Sequence, residues 1–210
     1  LLLGSFSITA EKEDGHWGLL ATYPISARSF LFGKWLGLAL ILTTIIFFSF
    51  GLSGLLISIF KQPMETQTYV FLLSFSLLLA LAFLTISFLI GSFAKNRWQA
   101  LIWAISIWFI TIVIWPLIMI STLTHLPSYK MIQPTLQLLT IINPAELIRI
   151  FTMMRLGAGS AFGADYDAWI TWANSSYGLL IFLLVFIAFN IVTLLISSWI
   201  WNRGDKYGTN

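Results

Sequence analysis

The chain has 210 residues, 59% of them hydrophobic and only 9% charged, with a formal net charge of +3 and no cysteine. Soluble domains carry about 25% charged residues, so an ordinary soluble protein is excluded, and the absent thiols exclude disulfides, thiolate metal sites and a cysteine nucleophile. The pI near 9.3 rests on few ionisable groups, so the basic balance reports where Lys and Arg sit and gives no reason to expect a nucleic-acid partner.

Several runs are long enough to cross a bilayer, which needs about 20 helical residues. They do not alternate as the strands of a membrane barrel would. The expected class is therefore an all-α integral membrane protein, forming a single transmembrane domain over 1–210. The 10 tryptophans suit an aromatic belt at the membrane boundaries.

Residues 1–8 read as the last turns of a membrane helix ending near Ile8. They have no charged signal-peptide segment, and the expectation is a helix whose start is missing. A charged connector over 9–34 follows. Within it Gly15 and Pro24-Ile25-Ser26 bracket residues 17–23, where Trp17, Leu20 and Ala21 share a helical face. A short helix on the membrane surface, ended by Pro24, fits.

Spans are expected over about 33–60, 69–93, 98–123 and 177–201, by the hydropathy and length criterion. The third contains Trp115-Pro116, a kink site where neighbouring groups must re-satisfy the freed carbonyl. Residues 124–172 differ, with Pro127, Pro134, Pro144, a glycine cluster, Asp165 and Asp167. Asn143 can cap a helix that starts with Pro144. Glu146 suits that helix's first turn and Arg155 its last. The helix is too short and too charged to span, and with the apolar piece before it predicts one or two interfacial or re-entrant helices.

Placing the connector inside puts Lys12, Arg28, Lys34, Lys95, Arg97, Arg203 and Lys206 on the inner side. Lys61, Lys130, Arg149 and Arg155 are then outside. The inner segments are shorter yet more basic, which favours this orientation and makes 124–172 extracytoplasmic.

Candidate chemistry is sparse. His16 and His125 fall on opposite predicted sides and cannot share a metal. Glu11, Glu13 and Asp14 could act as paired carboxylates or be a solvated loop, but contact with basic residues of a soluble partner fits better. Met153-Met154 could ligate Cu(I), though flexible apolar packing is the ordinary use of such a pair. The GxxxG spacing Gly33–Gly37 and the pair Gly51, Gly54 would allow close helix approach. No span carries an ionisable residue at mid-depth, which argues against an ion-coupled carrier. No phosphate-binding loop is present, so any energy must come from another chain.

The connector resembles the first cytoplasmic loop of ABC-2 type exporter permeases. In that family a membrane helix ends in an acidic-basic-acidic stretch followed by Gly, a Leu-Leu pair, a Pro-Ile-Ser-like turn, a basic residue and a Gly-Lys that opens the next helix. Here these are Glu11-Lys12-Glu13, Gly15, Leu19-Leu20, Pro24-Ile25-Ser26, Arg28 and Gly33-Lys34. His16 stands where Thr is usual, and Tyr23 where Leu or a polar residue is common. The phrase Asn143-Pro144-Ala145-Glu146-Leu147-Ile148-Arg149-Ile150 is similar to permeases of nitrous-oxide-reductase maturation systems, which work with copper-site assembly.

The resemblance implies a type V permease fold of six spans, the first missing here, with re-entrant outer helices before the last span. It implies a multi-pass protein of a prokaryotic inner or plasma membrane that works as a homodimer or paralogue heterodimer, surrounded by membrane lipid. Cytoplasmic ABC ATPase subunits would hold the ATP and Mg²⁺, and the permease would bind no cofactor directly. Glu11, Glu13, Gly15, Trp17, Leu20, Pro24 and Arg28 would couple to the ATPase, with Trp17 and Leu20 as buried anchors and the charges as rim contacts. Asn143, Pro144, Glu146 and Arg149 would form the outer re-entrant helix. The implied function is ATP-driven export. The alternative is a membrane transducer that passes ATPase motion to an extracytoplasmic partner.

Overall fold

A computed structural model describes residues 1–14, 26–60, 65–125, 131–159 and 167–204. All regular structure among them is helical: α1 (Leu2–Glu13), α2 (Ala27–Ile59), α3 (Thr66–Phe93), α4 (Arg97–Phe109), a π-helical turn (Ile110–Ile114), α5 (Trp115–Thr124), α6 (Ile132–Ile142), α7 (Pro144–Arg155), α8 (Asp167–Asn174) and α9 (Ser176–Gly204). Among the described residues four stretches are long and apolar enough to cross a membrane: Arg28–Ile59, Thr66–Phe93, Arg97–Thr124 and Ser176–Asn202. They coincide with the four spans expected from hydropathy.

Two boundaries differ from expectation. Helix α1 does not stop near Ile8 but continues through Glu11, Lys12 and Glu13 to Asp14, whose N–H bonds the Ala10 carbonyl at 2.9 Å. Hydropathy alone ends a membrane helix where charge begins, whereas here neighbouring helices satisfy each charge, as described below. Helix α2 starts at Ala27, ahead of the expected 33, because the Ser26 hydroxyl accepts from the Ser29 N–H at 3.2 Å as an N-cap. With 33 residues α2 is about 50 Å long, more than a hydrocarbon core of about 30 Å requires.

The third span is broken where Pro116 predicts a kink, and the break takes the form of the π-helical turn Ile110–Ile114. In π geometry the N–H of residue 116 would reach the carbonyl five residues back. Proline has no such N–H. That carbonyl, on Thr111, instead accepts from Asn143 Nδ2 at 2.9 Å.

The chain divides into two compact units. One takes the described residues of Leu1–Leu42, Ala80–Phe109 and Ala188–Asn210. Its core joins Ile8 of α1, Leu31 and Ala39 of α2, Leu84 and Phe88 of α3, and Leu194 and Trp201 of α9. Helices α1 and α3 approach to backbone contact. A Cβ on Gly91 would lie 2.6 Å from the Ile8 Cβ, and one on Gly4 would overlap the Ser87 hydroxyl. Small residues thus serve close packing as membrane helices require; of the glycines marked by spacing, Gly54 does so, a Cβ there lying 2.9 Å from the Tyr69 hydroxyl, whereas Gly33, Gly37 and Gly51 meet nothing within 4 Å. Neutral polar groups add to the seam. The Trp35 indole donates to the Thr85 hydroxyl at 3.0 Å, Thr85 bonds Asn190, and the Ser92 and Ser197 hydroxyls meet at 2.5 Å.

The other unit takes the described residues of Thr43–Leu79 and Ile110–Ile187. Here α6 and α7 meet at a sharp bend of 117° at Asn143. Asn143 caps α7 as expected, its side-chain oxygen accepting from the N–H groups of Ala145 at 3.0 Å and Glu146 at 3.4 Å. The Trp115 indole ties α5 to α6 by donating to the Leu139 carbonyl at 3.2 Å. Phe151 of α7 stacks on Phe182 of α9, with ring centroids 4.1 Å apart. Many large apolar side chains stay exposed, Leu40 at 63% and Phe48 at 72% among them. Such a surface suits lipid and not water.

Candidate functional site

The charged end of α1 is the densest polar constellation among the described residues. On a helix, successive side chains point about 100° apart, so Glu11, Lys12 and Glu13 reach in three directions. Each finds a different helix.

Glu11 accepts from the Lys34 ammonium of α2 at 2.6 Å. The same ammonium donates to the Ser7 carbonyl at 2.6 Å and lies 5.5 Å from the Phe30 ring centre. Lys34 therefore bridges the first turns of α2 to the last turns of α1.

Lys12 reaches the C-terminal end of α3. Its three N–H donors match three backbone acceptors, the carbonyls of Gly91, Ser92 and Ala94, at 2.9, 2.6 and 2.9 Å. A cation belongs at the negative end of a helix dipole, and here it arrives from another helix. The indole of Trp201 on α9 lies 4.9 Å from the same ammonium, a cation–π distance.

Glu13 reaches the N-terminus of α4. One carboxylate oxygen accepts from the Arg97 backbone N–H at 2.8 Å, and the other pairs with the Arg97 Nε at 2.8 Å. Asp14 adds a longer contact to the Arg97 Nη2 at 3.6 Å. A carboxylate at the positive end of the α4 dipole is favourable. Asn96 and Gln99 complete the cap locally: Asn96 Oδ1 accepts from the Gln99 N–H at 2.8 Å, and Gln99 Oε1 accepts from the Lys95 N–H at 2.7 Å.

Of the expected coupling residues, Glu11 and Glu13 thus come together as braces within the chain. Arg28 is exposed in the first turn of α2. Gly15, Trp17, Leu20 and Pro24 lie outside the described residues. Lys12, Lys34 and Arg97 are members of this site that topology counting treated only as charges. The acidic-basic-acidic pattern and the Lys95-Asn96-Arg97 turn were their available signals.

The expected outer residues are also assembled. Asn143 holds the bend, Pro144 opens α7, and Glu146 is 4% exposed yet bonded twice by Arg149, at 2.6 Å to Nη2 and 3.0 Å to Nε. Among the described residues no group of three or more His, Asp or Glu side chains converges as a metal site would require. The His125 Nδ1 bonds the Ser121 carbonyl of its own helix at 2.7 Å.

A family model described as an ABC-2 family transporter protein matches residues 1–204. The chain belongs to the ABC-2 transporter family. It is also similar to the probable ABC transporter permease protein NosY of Stutzerimonas stutzeri, with 29% identity over 169 residues, covering 78% of this chain and 60% of that relative's length. The described helices fit an ABC-2 permease domain of a multi-pass protein of the cell membrane, with four helices long enough to span and a fifth crossing if α6 and α7 are counted as one broken span. In this ABC-2 chain, the braced end of α1 stands directly before the connector that the resemblance assigned to coupling.

Proposed function

We propose that the chain is the membrane subunit of an ATP-driven exporter. It pairs with a second permease subunit and binds two cytoplasmic ATPase subunits that carry ATP and Mg²⁺. The observation that carries this reading is the placement of Glu11, Lys12 and Glu13. Three consecutive residues at the end of α1 hold α2, the end of α3 and the start of α4. A displacement of the connector that follows Asp14 acts on all three helices at once, because charged bonds resist slippage more than apolar contacts do. Family membership supports the ATPase partner, and the absence of any ionisable residue at mid-span fits energy supplied from outside the chain.

In this mechanism, closure of the nucleotide-bound ATPase pushes the connector, with Trp17 and Leu20 as its anchors. The α1 hub passes the push into the spans, and Arg28 offers the exposed rim charge. The test is the double variant Glu13→Ala, Trp17→Ala in the assembled complex. Substrate-stimulated ATPase activity should fall at least tenfold, and co-purification of the ATPase should weaken. Unchanged stimulation with intact co-purification would remove the connector from the coupling path.

A further inference from the structure

The bent pair α6–α7, with α8 and the start of α9, encloses a cavity of about 240 Å³. Its walls include Ile141, Leu147, Trp169, Trp172, Phe182 and Val185. The cavity is below the range of about 300–1,000 Å³ typical of drug-sized ligands. It suits a length of flexible apolar chain better than a rigid polycyclic molecule.

Two buried N–H groups here have no hydrogen-bond partner among the described residues. The Trp169 side chain is 5% exposed and lines the cavity, and its indole N–H is buried without a hydrogen bond. Arg155, at the C-terminal end of α7, has a buried Nε that is likewise unsatisfied. The buried carboxylate of α7, Glu146, is already taken by Arg149. Buried donors without acceptors are uncommon, and each calls for an explanation.

The two features are connected. The Arg155 guanidinium lies 5.7 Å from the Phe151 ring centre. Phe151 in turn stacks on Phe182 and meets Trp172 edge-on at 5.7 Å, and both rings line the cavity. A chain of packed rings thus joins the cation to the apolar hollow. We propose that this is a phospholipid site: the phosphate diester pairs with Arg155, and one acyl chain enters the cavity. Guanidinium is the group best matched to phosphate, which its planar fork can meet with two donors. The Trp169 indole supplies a donor for an ester carbonyl, which lies between phosphate and chain. A bound lipid would fill the hollow behind the α6–α7 bend and fix it against α8 and α9.

The test uses the full-length protein in neutral maltoside micelles, with thermal stabilisation and native mass spectrometry as readouts. The probes are phosphatidylglycerol, a diacylglycerol with the same acyl chains, and inorganic phosphate. Phosphatidylglycerol should bind at least about tenfold more tightly than the diacylglycerol, and inorganic phosphate should neither bind nor stabilise. Arg155→Gln should reduce phosphatidylglycerol affinity to that of the diacylglycerol, and Val185→Trp, which fills the cavity, should weaken both lipids. Equal binding of the two lipids by the unaltered protein would leave only a greasy crevice and overturn the site. So would protection by inorganic phosphate alone, or undiminished phosphatidylglycerol binding by Val185→Trp. The comparison of the three probes on the unaltered protein decides the question even where Arg155→Gln does not fold.

Discussion

Glu13 holds Arg97 at two points, the backbone N–H that opens α4 and the side-chain Nε, each at 2.8 Å. The pair therefore does more than join two surface charges. It fixes where α4 begins relative to where α1 ends, on the side of the chain from which the connector departs.

Because both side chains are partly exposed, at 33% and 48%, the pair adds little stability, on the order of 1 kcal/mol or less. Its effect should be on coupling. Glu13→Lys should abolish ATPase stimulation in the complex while shifting the melting temperature by only a few degrees. The exchanged pair Glu13→Lys, Arg97→Glu should recover part of the stimulation. Recovery stays partial because an ammonium at position 13 cannot accept from the backbone N–H of residue 97. If the exchanged pair is as inactive as Glu13→Lys alone, Glu13 acts on the partner subunit and not through Arg97.

Lys12 makes the opposite prediction. Its ammonium satisfies three carbonyls at the end of α3, and hydrogen bonds to a charged group contribute roughly 1.5–3 kcal/mol each where the alternative is an orphaned acceptor. Lys12→Met keeps the length of the stem and removes every donor. With three such bonds lost, it should lower stability by about 4 kcal/mol or more, seen as a melting shift in detergent, and no compensating mutation on a partner subunit should restore it. Arginine at this position should rescue poorly, because a planar fork cannot direct three donors into one turn of carbonyls.

These differences show what was legible in the residue order. The four spans could be read because about 20 apolar residues in a row permit few other structures. The Asn143-Pro144 start of α7 could be read because a cap is local: donor and acceptor are two or three residues apart. The hub could not. Lys34, Gly91 and Arg97 lie far along the chain from Glu11, Lys12 and Glu13, and local pattern can mark the charges but not say which of them meet. The same blindness placed the end of α1 near Ile8, since charge ends a membrane helix only when no neighbour satisfies it. Two of the spaced glycines, Gly33 and Gly37, meet nothing within 4 Å for a related reason. Spacing marked Gly33 and Gly37, whereas close approach depends on what faces a glycine, and at Gly91 that is Ile8.

The glycine contrast is itself testable. Gly91→Ala drives a methyl to within 2.6 Å of the Ile8 Cβ, so α1 and α3 must separate. A cost of about 1–3 kcal/mol is expected, as for other overpacked cores. Gly37→Ala meets nothing within 4 Å and should be neutral or stabilising by up to about 1 kcal/mol through helix propensity. Equal melting temperatures for the two variants would contradict the α1–α3 contact.

Asn143 joins two local problems in one side chain. Its oxygen caps α7, and its Nδ2 supplies the donor that Pro116 denies to the Thr111 carbonyl. Asn143→Ala removes both, and the loss should be about 2–4 kcal/mol, a cap plus the donor to a partly buried carbonyl. Asn143→Asp keeps the acceptor and loses the donor, so its stability should fall between those of Asn143→Ala and the unaltered protein. The decisive variant is Pro116→Ala, which returns an N–H to the helix itself. In the presence of Asn143→Ala it should recover the Thr111 share of the loss and leave the cap share untouched. The two substitutions should therefore be non-additive by about 1 kcal/mol or more in a double-mutant cycle of melting data. Strict additivity would mean that the π-helical turn does not depend on Asn143 for its missing donor.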